Sequence, residues 1–161
     1  MRIYNLSKKS REEFLEKANL NGSSLPLKDL KIAELEDPSL AIIHDKEIKL
    51  YFGRRDNENY FPLLKDEQIL PKLPFASVDM GAIKYVCNGA NIMRPGIVSF
   101  SGNFKKGDLV VVKESSHSKA IAIGRALVDG NEALSMQKGP VFQNLHYVGD
   151  KLWEALKSVD S

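Results

Sequence analysis

The residues best equipped for chemistry sit in two short stretches of the second half of the chain, and the chemistry they suit is recognition. Asn91, Met93 and Arg94 crowd together just ahead of Pro95-Gly96. An arginine offers a planar fork for a phosphate or a base edge, an asparagine offers an amide, and a methionine packs under a splayed base. Upstream, Gly81 follows a strand-like run and opens a helix-like one, where a missing side chain lets a nucleic-acid backbone approach and exposes the first helical N–H groups to phosphate. Lys84 and Tyr85 fall on that same short helix, pairing a cation with an aromatic that can pack on a base or ribose. Each residue also has a plainer reading. Gly81 suits a tight turn, Lys84 a solvated face, Tyr85 a core and Asn91 a cap on its own turn. Arg125, after Gly124, and Lys138, beside Gly139, extend a basic rim, although single surface charges usually do nothing specific.

Nothing in the sequence points to turnover. There is no P-loop, no GxGxxG fingerprint, no HExxH and no GxSxG. His146-Tyr147 has no serine, cysteine or carboxylate tied to it by a motif, so packing is the better account of that histidine. His44 and His117 fall in expected hairpin loops, too far apart to suggest a metal site. Cys87 is the only cysteine; it allows no intrachain disulfide and no CxxC pair, and reads as a small buried hydrophobe. These features lead us to expect a protein that is not an enzyme and needs neither cofactor nor metal. No apolar run approaches the roughly 18 residues of a membrane span. The N-terminus, MRIYNLSKKSREEFLEK, turns charged before a signal core can form, so a cytoplasmic protein without membrane contact is expected.

Charge alone does not announce a nucleic-acid binder, because the net charge is +2 from 23 basic and 21 acidic residues. Residues 1–74 carry 13 basic and 13 acidic side chains while residues 75–161 carry 10 and 8, so the small excess lies in the second half. Lys8-Lys9 and Arg54-Arg55 stand near carboxylates and read as solvated pairs, although Arg54-Arg55 at a hairpin end could touch ribosomal RNA.

The elements that must position these residues are legible in outline. Ser10 with Glu13 forms a capping-box pattern, with Phe14 and Ala18 on one face of a helix ending near Asn21-Gly22. Leu40–Ile43 and Ile48–Phe52 read as a hairpin around His44–Glu47, closed by Gly53 and the polar run to Asn59. Pro62, Pro71 and Pro74 punctuate the next segment, which cannot be one continuous helix, and a boundary is expected at residues 72–75. That divides the chain into an α+β unit over 1–72 and a β-rich unit over 73–161 packed against it. In the second unit, Phe75–Asp79, Asn91–Met93, Leu109–Val112 and Ala120–Ala126 read as strands, and Gly81–Asn88 as a short helix carrying Ile83, Val86 and Cys87 inward. Short strands with turns between them favour a small barrel, closed by an amphipathic helix from about Asp150 with Leu152, Trp153 and Leu156 on its apolar face.

The segment Val78–Ile97, VDMGAIKYVCNGANIMRPGI, resembles the opening strand, helix and second strand of PUA domains. More narrowly, it resembles the malignant T-cell-amplified-sequence family of translation proteins. The matching blocks are Val78-Asp79, Gly81–Lys84, Gly89–Met93 and Pro95-Gly96, then Asn144–Tyr147 and Leu152-Trp153. Tyr60-Phe61-Pro62 and its hairpin resemble the pre-PUA domain of the same family, whereas positions 98–140 match only in texture. The resemblance implies a pre-PUA α+β domain followed by an RNA-binding PUA pseudobarrel, which uses the edge at Gly81 and lays Asn91, Met93 and Arg94 against RNA. It implies work on the small ribosomal subunit near initiator tRNA, with a partner carrying an SUI1-type domain that this chain lacks. PUA domains are also appended to modifying enzymes, so an RNA-targeting subunit of a tRNA- or rRNA-modifying enzyme is the alternative, and the weak net charge leaves room for a protein-interaction module. One conflict concerns Arg94. Strand alternation puts it on the face of Ile92, opposite Met93, so with Ile92 in the core it would point inward. The resemblance implies a bend before Pro95 that leaves Met93 and Arg94 both reachable from solvent.

Overall fold

The computed structural model describes residues 1–159; positions 160 and 161, the end of the expected second unit, lie outside the described residues. Five strands form an antiparallel sheet in chain order: β1 (Arg2–Asn5), β2 (Lys31–Glu34), β3 (Leu40–Asp45), β4 (Leu50–Arg55) and β5 (Asn59–Pro62). Helix α1 (Lys8–Lys17) follows β1. Its cap is Ser7, whose Oγ accepts the Ser10 N–H at 3.1 Å, so the helix starts before the Ser10–Glu13 box and takes Ser10 inside. It also stops short of Asn21. Asn19 takes the left-handed conformation at φ 56°, the Asn19 N–H donates to Glu16 O and the Leu20 N–H to Leu15 O. This is the Schellman closure, with asparagine in the place glycine usually fills. In the expected hairpin, β3 keeps His44 and Asp45, the Asp45 carboxylate accepts the Glu47 N–H, and β4 runs on through Gly53 to Arg55.

Alternation along these strands serves two cores at once. Ile32, Ala41, Ile43, Phe52 and Tyr60 face Phe14 of α1, whose ring meets those of Phe52 and Tyr60 edge-on at 5.4 Å. Their neighbours Ala33, Leu40, Ile42, Tyr51 and Phe61 face the other way. This is the period of two expected of pleated strands, here with both faces covered.

The second sheet has the order β7-β11-β10-β9-β6-β8, formed by β6 (Phe75–Val78), β7 (Ile92–Met93), β8 (Ile97–Ser101), β9 (Leu109–Glu114), β10 (Ala120–Ala126) and β11 (Pro140–Tyr147). Among the described strands only β6 and β9 run parallel. A 3₁₀ turn at Met80–Ala82 leads into α2 (Ile83–Val86), a second one at Arg94–Gly96 follows β7, and α3 (Gly130–Ser135) precedes β11. The sheet curls around Val78, Val86, Ile92, Val110, Val112, Ile121 and Phe142. Val111, Ile123 and Leu145 point out of its other side, onto Ile42, Tyr51 and Phe61 of the first sheet. Leu109–Val112 therefore reads as an unbroken apolar run because β9 is buried on both faces.

Helix α4 (Lys151–Val159) completes that shared core with Leu152, Leu156 and Val159. It packs against β3 as well as β11, so it clasps the two sheets together instead of merely closing the barrel. Trp153, expected on its apolar face, is only partly buried. No helix among the described residues is long and apolar enough to cross a membrane.

Candidate nucleic-acid interface

The expected helix after β6 is two pieces, and the break shapes a cleft. Asp79 ends the strand and its carboxylate accepts the Ala82 N–H at 2.9 Å, which turns the chain sharply and exposes Gly81. The backbone there does not need glycine. Its φ is not positive, and an added Cβ would meet only Asp79 Oδ1, at 3.4 Å. The expectation of open helical N–H groups is corrected at Ala82, where Asp79 already satisfies the amide and adds a negative charge. What the missing side chain leaves is room at the mouth of an open cleft of about 400 Å³, floored by Val78, Val86 and Ile92 and rimmed by Gly81, Tyr85, Asn91 and Met93.

Tyr85 is 60% exposed and Met93 47%, so the core reading of Tyr85 fails: a helix of four residues buries one side chain, Val86, and turns the tyrosine outward. Lys84 Nζ lies 5.1 Å from the centre of the Tyr85 ring, a cation–π contact that holds the charge beside the aromatic face. Asn91 Oδ1 accepts the Asn144 N–H at 3.1 Å, while Asn144 Nδ2 donates to Val86 O and Ala90 O at 3.0 Å each. Asn91 thus anchors β11 instead of capping its own turn. Asn144 fastens the cleft floor, a positioning role that only its place in the block Asn144–Tyr147 hints at. Gly89, at φ 93°, is the glycine this site requires, and the Tyr147 ring would stand 3.3 Å from a Cβ there.

Arg94 departs most from expectation. The strand does stop at Met93, and the 3₁₀ turn makes the bend that leaves Met93 in solvent. The guanidinium, however, turns back onto the protein. Nε donates to Ala133 O at 2.8 Å, Nη1 donates to Ile97 O at 3.1 Å, and the group lies 5.2 Å over the Phe100 ring. Nε and Nη1 are committed to joining the turn, β8 and α3, which corrects the picture of a guanidinium wholly free for RNA. Lys138 is exposed beside Gly139, whose carbonyl accepts the Arg94 N–H, and Pro140 pairs with Met93, so this lysine stands at the Met93 end of the cleft. Arg125 is elsewhere. It is half-buried, donates from Nη1 to Gly107 O at 2.9 Å and lines a groove between the two sheets; burial pushes its pKa down. The fold therefore gathers Gly81, Lys84, Tyr85, Asn91 and Met93, sets Lys138 at their edge, and leaves Arg94 and Arg125 apart.

His146 is fully buried, with Nδ1 2.9 Å from Asp150 Oδ2 and its ring stacked on Phe61 at 6.5 Å. Burial raises the Asp150 pKa, but His146 and the N–H groups of Trp153 and Tyr147 outweigh it and the net shift is downward. The pair caps α4 at the junction of the sheets, out of reach of a substrate. Among the described residues, no group of three His, Cys, Asp or Glu side chains is arranged to hold a metal.

Residues 75–148 match the PUA domain family, the span from β6 through β11. An uncharacterised protein of Methanocaldococcus jannaschii is 38% identical over 150 residues, covering 91% of this chain and 87% of its own length. Translation machinery-associated protein 20 of Saccharomyces cerevisiae is 34% identical over 131 residues, covering 77% of this chain and 71% of its own. Among solved structures, a hypothetical protein of Pyrococcus horikoshii superposes with a TM-score of 0.74 at 32% identity, over 96% of this chain and 99% of that one. A PUA domain protein of Aeropyrum pernix, at 24% identity and a TM-score of 0.71, shares the fold. The chain belongs to the PUA-domain family of translation machinery-associated protein 20 and the malignant T-cell-amplified sequence proteins.

Proposed function

We propose that the protein is a non-catalytic, RNA-binding component of the translation machinery that holds tRNA or small-subunit ribosomal RNA at the cleft between α2 and β7. The observation that carries this reading is the pairing of an exposed aromatic with an exposed thioether, Tyr85 and Met93, on either side of an apolar floor. Burying such side chains in the core would be the cheaper fate, and a splayed base is a flat apolar body that such a pair can cover. Lys84 and Lys138 supply charge for the adjoining phosphates, and Gly81 leaves space for the backbone. Asp79 opposes an anion at that mouth, so the site suits a base in the cleft and phosphates at its rim. The names of the relatives support work in translation, and on this reading the partners are the small ribosomal subunit and a protein carrying an SUI1-type domain.

Crosslinking the tagged protein to RNA in its own cells and sequencing the attached fragments tests the proposal. Enrichment of tRNA and small-subunit rRNA is the expected result. Recovery with a modifying enzyme in equal amount, on that enzyme's substrates, would instead make it a targeting subunit.

A further inference from the structure

The outward face of the second sheet continues past the cleft. Ile92 pairs with Phe142 and both face the barrel core, so Gln143, next along β11, faces out, while Asn91, just ahead of β7, is tied to the N–H of the neighbouring Asn144. Gln143 pairs in turn with Arg125, and Arg125 with Leu109. The row Gln143–Arg125–Leu109 crosses β11, β10 and β9, and at about 4.8 Å per strand Arg125, two strands from β7, is about 10 Å from the edge of the cleft.

The row runs into the groove between the sheets, which has a volume of about 1220 Å³ and is lined by Lys17 at the end of α1, Asn59 and Tyr60 of β5, Lys72 and Arg125. Arg125 is poorly served there. Nη1 reaches Gly107 O, but Nε is buried without a partner and no carboxylate among the described residues forms an ion pair with the group. A half-buried guanidinium short of water and counter-ion gains most from an anion. Of the two acidic side chains in the groove, Asp108 is already engaged with the Lys105 N–H at 2.9 Å; Glu58 is the other.

We propose that RNA seated in the cleft continues across Gln143 and Arg125 into this groove, where Arg125, Lys17 and Lys72 contact its phosphates. The first half of the chain then shares in RNA binding. The inference rests on the cleft being an RNA site, and RNA is preferred to another anionic ligand because the outward side chains of Gln143 and Arg125 lie between the cleft edge and the groove.

The test is a salt titration of tRNA binding by the full chain. With Lys84 and Lys138 alone, two phosphate contacts at about −0.7 each give a slope of log affinity against log salt of about −1.4, and three more contacts bring it to about −3.5. The wild-type protein is expected near the steeper value. Lys17→Glu with Lys72→Glu, both exposed, should weaken binding at least tenfold and bring the slope toward −2, and Arg125→Gln should remove about one contact. Tyr85→Ala should weaken binding with the slope unchanged. If the groove variants bind like wild type with a slope near −1.4 while Tyr85→Ala still loses affinity, the inference is overturned, the RNA ends at the cleft and the groove is left for another anion such as an acidic peptide. If the wild-type protein does not bind tRNA at all, the reading of the cleft fails with it.

Discussion

Replacing Arg94 with alanine should unfold the protein more easily without touching the RNA site directly. The guanidinium makes two hydrogen bonds to main-chain carbonyls, Ala133 O and Ile97 O, and lies 5.2 Å over Phe100. A hydrogen bond from a charged donor contributes about 1.5 kcal/mol at the low end of its range. This site is half-buried, so water partly replaces the lost donors and about 1 kcal/mol each is a fairer figure, with about 0.5 kcal/mol more from the ring contact. The sum is about 2.5 kcal/mol, which for a chain of this size lowers the thermal midpoint by about 5–10 °C. Arg94→Lys keeps a cation over the ring but loses the fork, and should fall about midway. Thermal and urea unfolding measure the stability; RNA affinity, taken well below the midpoint, should change less than twofold. An unchanged midpoint combined with a tenfold loss of RNA affinity would refute the structural role and return Arg94 to the interface.

Gly53→Ala should destabilise by about 1–3 kcal/mol through overpacking, because its Cβ would stand 2.6 Å from Phe61 Cε2 and 2.9 Å from Leu63 Cδ2; an unchanged urea midpoint would contradict the tight contact between strands. Gly81→Ala should leave the midpoint alone, as only Asp79 Oδ1 lies near at 3.4 Å, yet weaken RNA binding; unchanged affinity would mean the RNA backbone does not pass the mouth. Glu114 is held at a pKa of about 2, chiefly by the Ser116 hydroxyl and by the N–H groups of Lys119, His117 and Ser116, against the opposing effect of burial. Because the folded value lies below the unfolded one, its stabilisation is fully present above about pH 4.5 and is lost as pH falls toward 2. The stability gap between wild type and Glu114→Gln should therefore close across that window, and a gap independent of pH would count against the carboxylate.

What could be read in the sequence was what depends on neighbours in the chain. Glycine marks the turn at Gly81, the apolar spacing of Leu152 and Leu156 marks the last helix, the family resemblance implies the bend before Pro95, and the apolar run Leu109–Val112 reads as a strand. The expectation that Gly81, Lys84, Tyr85, Asn91 and Met93 belong to one site also came from short-range order, helped by the family resemblance. The partners of Arg94 were invisible because they are carbonyls, which any residue supplies, and Ala133 O lies 39 positions away. Tyr85 could not be oriented because α2 is too short to show a helical period. β11 was missed since Val141 and Phe142 are both buried, as are Leu145 and His146; a register shift between Ile123 and Gly124 on its partner strand breaks the alternation. The N-cap was misplaced by one turn because Ser7 and Ser10 both precede helical residues, and only the backbone at Ser7, at ψ 160°, shows which one is outside the helix.

Binding of a tRNA-like RNA by the wild-type protein and by Tyr85→Ala combined with Met93→Ala, at equal salt, bears most directly on the cleft. Both side chains are exposed, so the variant should keep its thermal midpoint. Base packing on such side chains contributes about 1–3 kcal/mol per base, which predicts a loss of at least fivefold in affinity. A variant that folds and binds as tightly as the wild type would mean that this cleft is not where the protein holds RNA.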